Sequence, residues 1–376
     1  MFRFLCILSG IFIVSPIIEA GPIFNITDLG TLGGASATAF SVNNSGLAAG
    51  VGETAAGYNH AVLFDHGAFT DFTAGSTAMN GQASSINNPG QIAGTSYSAA
   101  GNAQATIWSN GVQSLGTLGG ADSYGTAINN SGDVAGGSET AGGATHAFLD
   151  SNGVMHDLGS FGGGNWSAAY AVNSEDQVAG YGMTASGSFQ AFLWNPGSGY
   201  TALGTLGGRN SYAMGINDLG QVVGSSALGD GYSHAFVYSN GSMEDLGSLG
   251  GASYAYGVNE SGEIVGYSWL SQGGDSHAFA VINGVMLDLN NLLAPGSDWV
   301  LTQAYGINAS GQIVGTGWHN GQLHAFLATD PPGPDGPSDI SETAVSATPE
   351  PGTFALLAGG AVLLWFMRRS RLHRSR

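Results

Sequence analysis

The sequence predicts an all-β repeat protein, and among all-β repeats it favours a seven-bladed β-propeller. Three sequence landmarks each recur seven times, at steps of 42 to 49 residues. Each copy has room for four short strands separated by turns, which is the content of one propeller blade. The composition agrees, because 64 glycines, 43% hydrophobic and only 9% charged residues are typical of many turns between short buried strands.

The copy from Ser211 to Gly251 shows how four strands arise. The predicted strands are Ala213–Asn217, Gln221–Ser225, His234–Tyr238 and Met243–Leu246. Asn-Asp-Leu-Gly and Ser-Asn-Gly favour tight turns, because Asn, Asp and Gly tolerate positive φ. The third strand has no polar alternation, so both of its faces should be buried between stacked sheets. Small residues in the first strand suit a position where backbones crowd towards an axis.

The landmarks themselves are better explained as structural than as catalytic. The first is an Asn-x-x-Gly turn before a strand ending in Gly, beginning at Asn43, Asn87, Asn129, Asn173, Asn217, Asn259 and Asn308. The second is His/Gln-Ala-Phe or a variant, at His60, Gln104, His146, Gln190, His234, His277 and His324. Glutamine can replace imidazole in hydrogen bonding but not as a general base. We therefore expect a hydrogen-bonding role for these histidines.

The third landmark is an (Asp)-Leu-Gly-Thr-Leu-Gly-Gly segment, and its position at the chain ends predicts ring closure. It occurs at Asp28, Leu115, Asp157, Leu203 and Asp245, with weaker versions at Asp71 and Asp288. The array opens with a lone fourth-strand segment, Phe24–Leu29, and stops after a third strand, His324–Leu327. Pairing these two segments would complete one blade and remove the open edges. The alternative is a right-handed β-solenoid, which would be rod-like.

These repeats resemble the HAF family of extracellular repeats, named for the His-Ala-Phe tripeptide. The resemblance spans about Ile26 to Ala328, within a predicted repeat domain of residues 21–329. No established activity comes with that family, so the resemblance implies an extracellular location and no reaction.

Both ends of the chain are predicted to direct export. Residues 1–20 have the basic start, apolar run and small final residue of a signal peptide. Residues 330–348 form a Pro-, Gly- and acid-rich linker expected to be disordered. Pro349, Glu350 and Pro351 follow, then an apolar stretch predicted as a single helix, Phe354–Met367, and a terminal arginine cluster.

The segment 349–376 resembles the PEP-CTERM sorting signal of Gram-negative bacteria. The resemblance implies transient anchoring in the inner membrane and cleavage near Pro349-Glu350-Pro351 by an exosortase. It further implies delivery to the cell surface or matrix, usually in bacteria that make exopolysaccharide, and so a place in biofilm. A permanent membrane anchor is the alternative.

Charge narrows the possible partners. Between Gly21 and Thr348 there are 24 acidic residues against one arginine, Arg209, a formal charge of about −23. Such a surface repels nucleic acid. The one cysteine, Cys6, lies in the signal peptide, so the repeat domain has no thiol chemistry. No metal or cofactor motif is present, although Asp- and Asn-rich turns permit weak Ca²⁺ binding.

The copies differ most in the connection between their second and third strands, and a unique site is expected there. These connections share one face of the ring with the inter-blade Leu-Gly-Gly segments, and this face is expected to carry Tyr58, Tyr97, Trp166, Tyr181, Trp269 and Trp318. Exposed aromatic rings beside acids and amides suit sugar stacking, although packing of these rings under their own loops is as plausible. The expected function is non-catalytic binding or scaffolding of cell-envelope material or exopolysaccharide. The alternative is an extracellular hydrolase or lyase that acts on polysaccharide.

Overall fold

A computed structural model describes residues 24–74, 80–98, 100–271 and 273–330 of the chain. Over these residues the protein is a ring of seven antiparallel sheets. The predicted signal peptide, the linker beyond Asp330 and the sorting segment with Pro349, Glu350 and Pro351 lie outside the described residues. Within the described ranges, no helix is both long and apolar enough to cross a membrane.

Each blade has four strands in chain order. The bounds are β1 (Asn25–Gly30); in blade 1, β2 (Gly33–Val42), β3 (Ala48–Thr54), β4 (Asn59–Asp65) and β5 (Ala68–Asp71); in blade 2, β6 (Gln82–Ile86), β7 (Ile92–Tyr97), β8 (Ala103–Trp108) and β9 (Val112–Gly116); in blade 3, β10 (Gly119–Ile128), β11 (Val134–Thr140), β12 (Thr145–Ser151) and β13 (Val154–Gly159); in blade 4, β14 (Gly163–Val172), β15 (Val178–Thr184), β16 (Phe189–Asn195) and β17 (Gly199–Gly204); in blade 5, β18 (Gly207–Ile216), β19 (Val222–Leu228), β20 (Ser233–Ser239) and β21 (Ser242–Asp245); in blade 6, β22 (Ser253–Val258), β23 (Ile264–Trp269), β24 (Ser276–Ile282) and β25 (Val285–Asp288), followed by a 3₁₀ helix, Leu289–Leu292; and in blade 7, β26 (Trp299–Ile307), β27 (Ile313–His319) and β28 (Gln322–Thr329).

The ring closes as the order of the chain ends predicts. Strand β1 pairs antiparallel with β28, from Asn25 opposite Thr329 to Asp28 opposite Phe326, and so becomes the fourth strand of blade 7. The first strands of neighbouring blades contact one another all round the ring and therefore line its axis. The propeller prediction is confirmed, and the solenoid alternative is wrong.

Seven hydrophobic clusters form the core, and each lies between two neighbouring blades. The third strand of blade 5 shows why each cluster involves two blades. Phe236 packs towards blade 4, whereas the preceding Ala235 packs towards blade 6, and both are fully buried. Both faces of the His-Ala-Phe strand are thus covered, as expected from its lack of polar alternation. A single blade has no core of its own, so folding requires the neighbours.

The landmark asparagines form a closed ring of hydrogen bonds around the axis. Each side-chain amide donates from Nδ2 to the main-chain carbonyl of the equivalent asparagine in the next blade. The bonds are Asn43 to Asn87 (3.2 Å), Asn87 to Asn129 (2.9 Å), Asn129 to Asn173 (3.1 Å), Asn173 to Asn217 (3.1 Å), Asn217 to Asn259 (2.9 Å), Asn259 to Asn308 (3.2 Å) and Asn308 to Asn43 (2.9 Å). Aspartate could not donate this bond, which explains why the amide recurs.

A β-bulge in the first strand of every blade explains the glycine that ends the first landmark. In blade 5, Ala213 pairs with Gly224 and Gly215 pairs with Val223, so Met214 is the extra residue. A Cβ on Gly224 would lie 1.9 Å from the carbonyl oxygen of Tyr212. No side chain fits there, and the equivalent glycine occurs in all seven blades. Strand β18 also begins at Gly207 instead of the predicted Ala213, because pairing with β19 continues across a second register shift between Gly207 and Ser211.

We expect Asn217→Ala to lower the free energy of unfolding by about 2–4 kcal/mol, because buried groups lose their partners. Asn217 is 2% exposed. Its Oδ1 accepts the backbone N–H of Gln221 at 2.9 Å, and its Nδ2 donates to the backbone carbonyl of Asn259 at 2.9 Å. Urea denaturation would measure the change. Asn110→Ala, at an exposed turn, is the control and should change stability little. Equal effects of the two substitutions would contradict a structural role for the ring.

Candidate binding surfaces at the two ends of the channel

The bulged residues of blades 1, 4, 6 and 7 place aromatic side chains in the middle of the channel, whereas the equivalent residues of blades 2, 3 and 5 are Ser84, Thr126 and Met214. Phe40 contacts Tyr305, with ring centroids 5.4 Å apart, and Tyr305 contacts Tyr256 at 5.1 Å. Because these residues come from neighbouring blades, their rings point towards the axis. Burial raises the pKa of Tyr170 and of Tyr256 to about 12. The hydroxyls are therefore neutral at neutral pH, and we call these rings, which lie between the two ends of the channel, the aromatic plug.

The two ends present different surfaces. We call the end with the Asn-x-x-Gly turns, such as Asn217–Gly220, the turn face. The opposite end, with the connections between second and third strands, such as Leu228–Tyr232, is the loop face. The sequence comparison favours the loop face as the site of a unique function, whereas the structure shows a distinctive feature at each end.

The landmark histidines lie at the loop face and pair with the aspartate of the Leu-Gly segment. The Nδ1-to-carboxylate distances are 2.7 Å for His60–Asp71, 2.8 Å for His146–Asp157, 2.9 Å for His234–Asp245, 2.7 Å for His277–Asp288 and 2.9 Å for His324–Asp28. In blade 2 the Ser114 hydroxyl instead donates to Gln104 Oε1 at 3.1 Å. In blade 4, Gln190 is accompanied by Ala202 at the aspartate position. Histidine thus occurs where a carboxylate faces it, and glutamine where none does.

The aromatic residues predicted for a ligand face separate into exposed and packed groups. Trp318 is 47% exposed and Tyr58 is 50% exposed. Tyr97, Trp166 and Trp269 are less exposed and half-buried. Trp166 packs against other rings, and its ring centroid lies 5.3 Å from that of Tyr181. Only part of the predicted set is therefore free to meet a ligand.

The expectation that Tyr181 lies on the loop face is wrong. Its side chain is fully buried in the channel, stacked on Tyr170 at 4.8 Å, with the two hydroxyls 2.9 Å apart. Tyr181 lies opposite Ala168, and this small residue leaves room for the ring.

Exposed apolar side chains occur on the loop face of three adjacent blades. Trp318 and Val300 are opposite one another on β27 and β26 of blade 7. Leu270 and Tyr58 are exposed on the blades that flank blade 7, which are blade 6 and blade 1. We call these four side chains the loop-face patch. A polar border adjoins it, since Asp298 lies 3.5 Å from His319, which stacks on Trp299.

The turn face holds a cavity of about 170 Å³ on the axis. Its lining includes the landmark asparagines of blades 1 to 4 and the residues that follow the landmark asparagine in blades 2 to 6, which are Asn88, Asn130, Ser174, Asp218 and Glu260. Asp218 and Glu260 are therefore carboxylates beside the axis. Each accepts a backbone N–H from the preceding blade, Asp218 from Ser174 at 2.8 Å and Glu260 from Asp218 at 3.0 Å.

Blades 3 and 4 differ from the others in their carboxyl groups near the turn face. Asp176 takes the place of the turn glycine at φ 57° and receives a 3.0 Å bond from Asn129. Burial first, and the Asp133 carboxylate second, raise the pKa of Asp176. Asp150 is 2% exposed where five blades have an aromatic or valine side chain, and burial raises its pKa also. Across the described ranges, no cluster of three or more His, Cys, Asp or Glu could hold a metal ion.

Comparisons with known proteins support the fold and nothing narrower. No protein-family model matches the chain, and no curated sequence does. The fold is similar to the β-propeller domain of the Trilobed protease from Pyrococcus furiosus, with a TM-score of 0.53 at 10% identity over 82% of this chain and 100% of that one. It is also similar to the acylaminoacyl peptidase of Pyrococcus horikoshii, with a TM-score of 0.50 at 12% identity over 79% of this chain.

The chain spans about half the length of some of these proteins. It covers 53% of the Pyrococcus horikoshii peptidase. It covers 52% of TolB from Acinetobacter baumannii, with 58% of this chain matched at 16% identity and a TM-score of 0.42. The likeness to the two Pyrococcus proteins establishes the class of protein, a β-propeller, and at these identities nothing narrower.

We expect Asp176→Asn to stabilise the protein at neutral pH by on the order of 1 kcal/mol, reduced by solvent screening. A carboxyl whose folded pKa is raised is most favourable below its unfolded value, 3.8, and its contribution is lost as pH rises through the folded pKa. The gain in stability should therefore shrink at about pH 3, where the side chain of residue 176 is neutral in the wild type as well as in the variant. Thermal unfolding of the wild type and of Asp176→Asn, at neutral pH and at about pH 3, measures this difference in stability.

The exposed Glu244→Gln is the charge-matched control and should have little effect at either pH. A loss of stability in Asp176→Asn at neutral pH would show that the carboxylate contributes favourably.

Proposed function

We propose that this protein is an exported, non-catalytic β-propeller that binds glycan or other cell-envelope material through its loop face. The loop-face patch carries the proposal. Of the eight large hydrophobic side chains exposed in the described residues, four lie in this patch on blades 6, 7 and 1. Exposed apolar side chains on one face of adjacent blades, with polar groups beside them, suit a binding surface.

The chemistry of the patch favours sugar. Trp318 presents an indole face, with Val300 across the strand pair and Asn320 in the adjoining turn. Sugar rings stack their C–H faces on such indoles, while amide and carboxylate groups bind the hydroxyls. The strong negative charge of the domain disfavours nucleic acid and anionic lipid.

Export follows from the sequence features at the two ends. The resemblance to HAF repeats and to the PEP-CTERM signal supports delivery to the cell surface or matrix, with an exosortase as the processing partner. An acidic domain of this kind, joined to the sorting segment by the Pro- and Gly-rich residues 330–348, would be displayed away from the membrane until it is released.

We expect a Trp318→Ala, Tyr58→Ala double variant to lose at least about tenfold in affinity for exopolysaccharide, because two stacking platforms are removed. Retention of the purified full-length protein on immobilised exopolysaccharide and cell-envelope fractions measures it. Phe69→Ala is the control, since Phe69 is 53% exposed in the same blade as Tyr58 but on the outer strand β5. No retention of the wild type, or equal retention of both variants, would refute the proposal.

We expect the mature protein to end near Pro349-Glu350-Pro351. Mass spectrometry of protein isolated from its producing cells should show loss of the arginine-rich terminus, and Glu350→Ala should leave the terminus intact. A wild-type protein that still carries Arg376 would instead indicate a permanent anchor.

A further inference from the structure

The axial cavity of the turn face has two chemically different sides. In five of the seven blades, the residue after the landmark asparagine contributes to a second set of bonds around the axis, in which its side-chain oxygen accepts a backbone N–H from the preceding blade. The bonds run from Ala309 to Asn44 (3.1 Å), Asn44 to Asn88 (2.9 Å), Asn88 to Asn130 (2.9 Å), Ser174 to Asp218 (2.8 Å) and Asp218 to Glu260 (3.0 Å).

These bonds determine which atoms remain for a ligand. In Asn88 and Asn130, Oδ1 is occupied and the Nδ2 group has no hydrogen bond to a described residue, so donors remain on one side of the cavity. In Asp218 and Glu260, one carboxylate oxygen is occupied and the other remains, so charged acceptors lie on the other side. All four residues line the cavity.

The wall and the size of the cavity restrict the ligand further. The accessible wall is almost entirely polar, although β-branched side chains such as Val42 and Ile128 lie behind it. An apolar ligand would gain little there, and two carboxylates disfavour an anion. The volume of about 170 Å³ suits several water molecules or one compact polar ligand.

We propose that this cavity binds a single amino sugar in its protonated form. The ammonium group would lie against Asp218 and Glu260, where charge-assisted hydrogen bonds are strongest. The ring hydroxyls would accept from the amide groups of Asn88 and Asn130 on the opposite side. This site lies at the other end of the channel from the loop-face patch, beyond the aromatic plug, and does not depend on the function proposed there.

Saturation-transfer NMR of the full-length protein with glucosamine, glucose and N-acetylglucosamine tests the proposal, since small polar ligands bind weakly. Glucosamine should bind at least tenfold more tightly than the other two, which lack the charge. An Asp218→Asn, Glu260→Gln double variant should lose that preference, and both amides keep the oxygen that accepts the backbone N–H. Glu175→Gln, an exposed acid of the same face outside the cavity lining, should bind as the wild type does.

A second measurement uses the wild type alone, in case the double variant fails to fold. Binding of glucosamine should be lost when the pH exceeds the pKa of its amine. Failure of glucosamine to bind, equal binding of glucose or N-acetylglucosamine, or persistence at high pH would each overturn the proposal. Trp318→Ala should leave glucosamine binding intact, so this site and the loop-face site succeed or fail separately.

Discussion

The hydrogen bond from each landmark asparagine to the next blade is the interaction on which the rest of the structure depends. It is buried, it points in one direction round the axis, and it returns to its start when Asn308 donates to the Asn43 carbonyl. That last bond joins residues at opposite ends of the repeat array. Since every blade gains its core only from its neighbours, a bond that sets the spacing of the inner strands also sets the packing of all seven clusters.

The bulge next to this ring determines what the channel can contain. An extra residue in each first strand turns side chains such as Tyr256 and Tyr305 towards the axis, and a glycine on the second strand is the condition for it. In blades 1, 4, 6 and 7 the extra residue is aromatic, so the bulge that recurs in every blade also places rings along the axis.

Much of the architecture could be predicted from the sequence because repetition supplies its own comparison. Seven copies show which residues are obligatory, and the lone strand before Gly30 predicts the closure through β1. The bulge could not be predicted, because one extra residue reverses the faces of a strand without changing its composition. The burial of Tyr181 could not be predicted for a different reason, because β15 continues to Thr184 and Tyr181 lies inside this strand instead of in the connection after it. The pairing of His146 with Asp157 had a signal, since the two copies with glutamine also lack the aspartate.

The contrast between the two sets of bonds at the turn face shows where the repeats are free to differ. The ring of asparagine hydrogen bonds is complete. In the described residues the second set of hydrogen bonds is interrupted at two places, between blades 3 and 4 at Ser174 and between blades 6 and 7 at Ala309. The fold therefore requires the first position of each turn but tolerates loss at the second. An amide at that position in blades 1 to 3 and a carboxylate in blades 5 and 6 serve the backbone N–H equally well, because both supply an acceptor oxygen. Ring stability does not distinguish amide from carboxylate there, so the division of the cavity into a donor side and an acidic side needs another cause, and ligand recognition supplies one.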